Sequence, residues 1–580
     1  MSEKSKNSIS RRNFIGLAGG ASLAAIASLG VATDWALNDL ELDLDELEID
    51  YVSTDVLVIG SGMAGLFAAV KAHDAGANVM MVSKGRLGAS GQTPFAKGIF
   101  AYDPSKEKLS IDEFVDTVSR SALGTNNPVY TKQMAVHSLA RVNDLKEWGF
   151  FDSSLYHKSF SKPIEERNIP IQERIVITHL IKEDGMMKGA AGFSVDKQKV
   201  IFYQAKSVIL CTGAGGFKPN GFPICDLTHD GTIMAYNIGA KVTGKEWNDG
   251  HPARAENPAA CYDGWGDMFE KKPGTTGIEV HHDLGVDMNY MAYVNGNPLK
   301  MGPPGARDSK DFIGGPYTPA EFRRNDSRPP QGGKEQPRDR KRPDKESGGP
   351  PGMGGGRVGG SSAGMAIHKA EGLVPINDQC ESNIPGLYAA GDALGSYMAG
   401  TIYTQIGSSL AGSAVQGGVA GKAAANYSKS VDFLEISSIK IKEIKEEVLA
   451  PLKREAGYSP AWVTQTLQGI MIPNFIIYIK KGNLLQAALS YVEELRDHHL
   501  PMLRAANMHE LRLAHETANM IISAEMKLKA SMMRTESRCS HFRLDYPETN
   551  KEEWEAWINI FKGEDGNMQF EKQPFNSWKI

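Results

Sequence analysis

Cysteine is scarce: five in 580 residues, at positions 211, 225, 261, 380 and 539, with no CxxC and no CxxCH among them. That spacing offers no thiolate set for an iron–sulfur cluster or a structural zinc, and no attachment point for a c-type haem. Excess charge is lacking too. Lys plus Arg number 64 and Asp plus Glu 69, a formal net charge of −5, which argues against a nucleic-acid partner. The apolar run from Leu17 to Val31 is broken by Gly19, Gly20 and Gly30 and is short for a membrane-spanning helix. What remains is ordinary for a soluble globular chain of two or three domains: 41% hydrophobic and 23% charged residues.

The apolar run has a readable address. Ser10-Arg11-Arg12-Asn13-Phe14-Ile15 precedes it, so residues 1–32 fit a twin-arginine export signal with cleavage near Ala32 and a destination on the periplasmic or extracytoplasmic side. That pathway moves folded proteins, so a tightly held cofactor can be inserted before export. Residues 33–52 read as an acidic linker.

The organising stretch is Thr54–Gly98. An apolar run, Val56–Ile59, leads into Gly60-Ser61-Gly62-Met63-Ala64-Gly65, then a helical pattern and a second apolar run, Ala77–Val82. This is a βαβ unit with glycines on the strand-to-helix turn. Gly60 permits the turn, Gly62 lets backbone approach a pyrophosphate, and Gly65 brings helix against strand. Ala64 lies in the first helical turn, whose N–H groups and dipole favour phosphate. The carboxylate that often ends the second strand and takes a ribose is missing: the strand ends Val82-Ser83-Lys84.

Ser83-Lys84, Ser90-Gly91-Gln92-Thr93 and Ala96-Lys97-Gly98-Ile99 resemble the flavoprotein subunit of the fumarate reductase and succinate dehydrogenase superfamily, whose relatives include L-aspartate oxidase and the adenylylsulfate reductase α-subunit. The resemblance implies an α/β fold: a two-dinucleotide-binding, Rossmann-like FAD domain, an inserted α+β capping domain and a C-terminal helical domain. In respiratory members a histidine carries FAD covalently. Its position here is Gly91, so the expected FAD is non-covalent.

Further motifs extend the resemblance. A predicted strand ends in Cys211-Thr212-Gly213, and another in Ala390-Gly391-Asp392, whose Asp holds ribityl or ribose hydroxyls in such flavoproteins. Gly407-Ser408-Ser409-Leu410 opens a small-residue helix whose amides are expected to face the flavin pyrimidine. Thr228–Pro252 resembles a segment in which a helix follows a Gly-Asp-Gly turn and ends at a His-Pro pair. Arg534-Thr535-Glu536-Ser537-Arg538 and Asp545-Tyr546-Pro547 match the C-terminal domain. The expected division is 53–250 and 358–430 for the FAD-binding domain, 251–357 for the capping and substrate domain, and 431–580 for the helical domain. Residues 301–360 form a Pro/Gly-rich basic insertion, read as a solvated loop.

The resemblance implies hydride transfer from flavin N5 to an activated double bond, with His and Arg clamping the substrate carboxylates and an Arg giving the proton. Carried over, the candidates are His251 as substrate ligand and Arg307 or Arg254 as proton donor, with Arg323 a third. The carboxylate-binding Arg falls at Gln405, and the second substrate His has no match near Ser361-Ser362. A small dicarboxylate therefore lacks its clamp. Tyr397, Met398 and Tyr403 flank the altered segment, as pocket lining or as core. The expectation is an exported FAD-dependent reductase acting on a substrate other than fumarate. It would be fed by a separate iron–sulfur or cytochrome subunit, with membrane association through that partner or through a signal retained as an anchor. The alternatives are a dehydrogenase or oxidase running the opposite way, and a redox-inactive flavoprotein scaffold. Adenylylsulfate reduction fits poorly, since those relatives are cytoplasmic.

Overall fold

Val56–Ile59 and Val79–Val82 are apolar at every position and largely buried, the pattern of strands covered on both faces. They form the ends of strand β1 (Glu48–Ile59) and most of β2 (Val79–Ser83), which pair in parallel across helix α1 (Met63–Asp74). This computed structural model describes residues 47–218, 224, 226–247, 252–254, 270–280, 357–359, 371–395, 398–401, 404–472, 476 and 479–578, with backbone alone at 252–254, 357–359 and 479. The twin-arginine segment, His251, Arg307, Arg323, Ser361, Ser362, Tyr397, Tyr403, the Arg254 side chain and nearly all of the basic insertion lie outside the described residues. Residues Met1–Leu47 separate as one unit and Glu48–Ile580 as another; the second is described below.

The expected linker ends sooner than residue 52. β1 already starts at Glu48, in register with Lys199. The cause is electrostatic: Lys199 Nζ lies 3.0 Å from Glu48 and 2.8 Å from Asp50, so an acidic run can serve as a strand.

Helices α2 (Ile111–Ser121), α3 (Pro128–Glu147) and α4 (His157–Glu166) follow; α2 starts at a Ser110–Glu113 capping box. Then come β3 (Ile171–Glu173), β4 (Ile175–Glu183), β5 (Met186–Ser194) and β6 (Lys199–Leu210). The sheet order is β3-β2-β1-β6-β5-β4, parallel from β3 to β6 and antiparallel beyond. Next are α5 (Asp230–Asn237), β7 (Val242–Thr243), β8 (Gly372–Leu373), β9 (Leu387–Ala389) and α6 (Ser408–Ser428). β9 returns to the sheet parallel to β6, pairing Leu387–Ala389 with Val208–Leu210. The carboxyl ends of β1, β6 and β9 are thus adjacent: Cys211 N donates to Ile59 O at 2.8 Å and Ala390 N to Leu210 O at 2.9 Å. Open α/β sheets bind ligands at that edge.

The C-terminal region carries α7 (Ser438–Leu449), α8 (Pro460–Met471), α9 (Gly482–Glu494) and α10 (Met508–Met533). Val463, Leu467, Leu485, Leu489, Ala524 and Leu528 build a core of their own among them. This domain is not helical to its end. A hairpin, β10 (Ala556–Lys562) and β11 (Met568–Pro574), joins β7 and β8 in a four-stranded sheet. Ala556 to Ile560 are buried at every position, which suits a strand covered on both faces rather than a one-faced helix.

Candidate functional site

The glycine turn is dictated by contact. Gly60 donates its N–H to Val82 O at 2.8 Å and has φ +114°; a Cβ there would lie 2.1 Å from Cys211 O, and one at Gly65 2.0 Å from Gly60 O. Gly62 is the N-cap of α1, with no capping side chain and no acid in the first turn. That leaves the positive end of the helix for an anion. Met63 N reaches Thr93 Oγ1 at 3.2 Å, so the Ser90–Thr93 loop lies against the start of α1.

The other sequence candidates surround this turn. Ser83 Oγ is 2.6 Å from Ser61 Oγ. Ser90 Oγ donates to Arg86 O, and Gly91 N donates to Asp226 Oδ2 at 3.0 Å. Gly91 has φ +69°, and a Cβ there would meet nothing within 4 Å, so this open position carries no side chain to form a flavin bond. Gln92 precedes a short turn, Thr93–Phe95. Lys97 Nζ donates to Ser154 O and stands over the Tyr156 ring. Gly98 begins a short strand, Gly98–Phe100, paired with Gly274–Thr276.

Lys84 belongs to a buried ion cluster. Its ammonium lies 2.6 Å from Asp230, 2.9 Å from Glu516 and 3.0 Å from Thr228 Oγ1; Lys218 and Arg512 also approach Glu516. Burial alone would favour the neutral amine, but Asp230 and Glu516 reverse that and hold the ammonium above its ordinary range. Its charge is answered by carboxylates, not left for a phosphate.

At the end of β6, Thr212 Oγ1 is buried with no partner among the described residues and Gly213 has φ +72°. At the end of β9, Gly391 has φ +67° and donates its N–H to Gln416 Oε1. A Cβ on Gly391 would lie 3.1 Å from Ala64 Cβ, so the two glycine loops, far apart in sequence, touch. Asp392 Oδ1 and Ser408 Oγ are buried without partners among the described residues. Ser408, Ser409 and Leu410 form the first turn of α6 behind Gly407 at φ +79°. Each orphaned polar atom costs about 1–3 kcal/mol unless something meets it. Oxygen acceptors on three loops, with two helix N-termini beside them, fit the hydroxyls and pyrophosphate of FAD.

Gln405, at the position of the expected arginine, is fully buried. Its Oε1 accepts from Glu279 N at 3.1 Å, while Nε2 donates to Gly277 O and Ile406 O. Met398, weighed as pocket lining, is buried with its sulfur against Gly412, a core position.

The C-terminal motif grips the segment that enters 248–251. Arg534 pairs with Glu246 and Glu536 at 2.9 Å each, with its guanidinium between the Trp247 and Trp554 rings. Lys480 Nζ donates to Glu246 O and Lys527 Nζ to Trp247 O. Burial pushes the Lys527 ammonium down to about 7 and Lys480 well below its usual range. Asp226, Glu246, Glu371 and Glu516 were invisible from the sequence, since nothing local marks a carboxylate whose partner is distant; Asp230 had a signal only as the Asp of the turn before α5.

Comparison with known proteins agrees with this geometry. Residues 55–162 match the FAD binding domain family, and residues 464–580 match the fumarate reductase flavoprotein C-terminal family. An uncharacterized FAD-dependent oxidoreductase of Methanocaldococcus jannaschii is 24% identical over 90% of this chain and 99% of its own length. A CoM/CoB fumarate reductase subunit of Methanothermobacter marburgensis is 25% identical over 88% of this chain and 98% of its own. Among solved structures, adenylylsulfate reductase of Archaeoglobus fulgidus superposes with TM-score 0.67 at 21% identity, covering 93% of this chain and 98% of its own. The Mycobacterium smegmatis Sdh1 complex gives TM-score 0.69 at 21% identity, over 92% and 96%.

Proposed function

This chain is an FAD-dependent oxidoreductase of the fumarate reductase family, and from that premise we propose that it is the exported catalytic subunit of a reductase whose acceptor is an activated, α,β-unsaturated double bond other than fumarate. Bound FAD supplies a two-electron carrier that exchanges hydride with a carbon acceptor. The chain's own residues do the rest. Gly60, Gly62, Ala64 and Gly65 cradle the pyrophosphate at the N-terminus of α1. Thr212, Gly213, Gly391 and Asp392 take hydroxyls, and Ser408–Leu410 present amides to the ring, all without a covalent bond. His251 orients the substrate, and Arg307 or Arg254 delivers the proton.

The observation that carries the substrate reading is Gln405. Both amide protons and the carbonyl of this buried side chain are taken by backbone, so it offers neither charge nor a free donor to a carboxylate. A dianion would lack the cation that the resembling site places at this position. The scarcity and spacing of cysteine make a separate iron–sulfur or cytochrome subunit the electron source, and the Arg11-Arg12 segment directs export. Any membrane contact runs through that partner. The purified protein, reduced by viologen, should turn over bulky unsaturated acids or ketones, and acid precipitation should release its flavin. Fumarate as the best acceptor would refute the substrate reading.

A further inference from the structure

The turn that opens α5 departs from the family pattern at one residue. Where the resembling segment has Gly-Asp-Gly, this chain has His229-Asp230-Gly231. His229 keeps the backbone of the glycine, left-handed at φ 62°. A side chain with a Cβ is strained there, and residues held so are a pointer to function.

The surroundings of the imidazole say what it offers. Nδ1 lies 2.7 Å from Glu371 Oε1, an oxygen that also meets Lys245 Nζ at 2.6 Å and Thr232 Oγ1 at 3.3 Å. A carboxylate at that distance makes Nδ1 the protonated nitrogen, and burial keeps the ring neutral by lowering its pKa. Nε2 is then a lone pair, and it is buried with no partner among the described residues.

The ring sits among the loops at the carboxyl edge of the sheet. A Cβ on Gly215, in the loop after β6, would fall 1.8 Å from His229 Nδ1. Glu371 precedes Gly372, which bridges Leu394 in the turn of Asp392. On either side of His229, Thr228 and Asp230 hold Lys84, directly after β2. The end of β2 is where dinucleotide folds place the carboxylate for the ribose hydroxyls. Here it carries Ser83-Lys84, with Lys84 committed to its ion pairs. The usual ribose acceptor is absent there, and the turn that meets the Lys84 ammonium carries an acceptor with no partner among the described residues.

We propose that His229 is a cofactor ligand of this chain: its Nε2 accepts a hydrogen bond from a ribose hydroxyl on the adenosine half of FAD, while Glu371 fixes the tautomer. A phosphate oxygen, which only accepts, cannot fill that place. The proposal rests on FAD binding, but FAD binding does not rest on it.

The test uses full-length apoprotein and two variants that tolerate the backbone, H229G and H229N. Flavin fluorescence gives Kd for FAD, and displacement gives Kd for ADP, 2′-deoxy-ADP and 3′-deoxy-ADP. Loss of one hydrogen bond should raise Kd for FAD and ADP about tenfold in H229G. Removing the contacted hydroxyl should weaken ADP for the native chain and leave H229G indifferent; a change that only loosened the loop would weaken all the nucleotides together. If H229G fails to fold by circular dichroism, H229N, whose amide is too short to reach, carries the same comparison. Native affinity for FAD in the folded variant, or a native chain that binds both deoxy forms as tightly as ADP, overturns the proposal.

Discussion

Helices α1 and α6 meet through two glycines, and the two contacts separate stability from cofactor binding. A Cβ on Gly417 would lie 2.3 Å from Ala64 O, and one on Gly421 would lie 2.3 Å from Ala68 O. An ordinary carbon–oxygen contact is about 3.3 Å, so either methyl must push backbone from backbone by roughly 1 Å. Alanine gains about 1 kcal/mol in helix propensity, and overpacking costs about 1–3 kcal/mol; each variant should therefore lose about 0–2 kcal/mol. The local geometry is matched, but the consequences are not. Ala64 lies inside the Gly60–Gly65 turn and stands against Gly391, whereas Ala68 is one turn further along α1. G417A should lower the melting temperature and also release FAD, with retention reduced about tenfold. G421A should lower the melting temperature alone. Thermal unfolding with and without added FAD, together with the flavin-to-protein ratio after gel filtration, reads both effects. Equal flavin loss in the two variants, or a G417A protein that melts higher with its FAD intact, would refute the reasoning.

Replacing Glu516 by Gln should destabilise the protein by about 3–5 kcal/mol, because Lys84 and Lys218 then share a buried site with too few carboxylates; a denaturation midpoint within error of the native value would contradict the ion cluster. His515 is partly buried and hydrogen-bonded to Val448 O, and desolvation lowers its pKa to about 4. Unfolded, it titrates near 6.5. Between those values the unfolded chain binds the proton and the native one does not, so its contribution is complete above pH 6.5 and is lost as pH falls to 4. The loss amounts to up to about 3 kcal/mol, and H515Q should flatten urea midpoints measured from pH 7.5 to 4.5 relative to the native chain.

The glycine turn between β1 and α1 was legible because its pattern is local. Gly60, Gly62 and Gly65 form one short motif between a strand and a helix, although only Gly65 answers a local contact, with Gly60 O, while Gly60 and Gly62 answer Cys211 and Thr93; Ser408 follows a glycine that turns the chain into a helix. The boundaries failed where a distant residue decided. Glu48 and Asp50 read as linker until Lys199 is seen between them. Glu516 sits within a long helix, four residues after Arg512, and nothing near it in sequence announces Lys84. Ala556–Lys562 became a strand because β7, far upstream, offered it an edge.

Gln405 bears on the last question, whether the missing clamp is decay or fit. A decayed arginine position would leave misfits around it. Here the carbonyl of the replacement takes the Glu279 N–H, and its amide protons meet Gly277 O and Ile406 O. An arginine has no acceptor, so restoring it would strip the Glu279 N–H of its partner at a cost of about 1–3 kcal/mol, besides burying a charge. The backbone at 277–279 and the neutral amide are thus matched to each other. Meanwhile Arg534, Lys480 and Lys527 still grip Glu246–Trp247, the lead into the segment of His251. The match between Gln405 and the backbone at 277–279 is the ground on which the proposal of an acceptor other than fumarate rests.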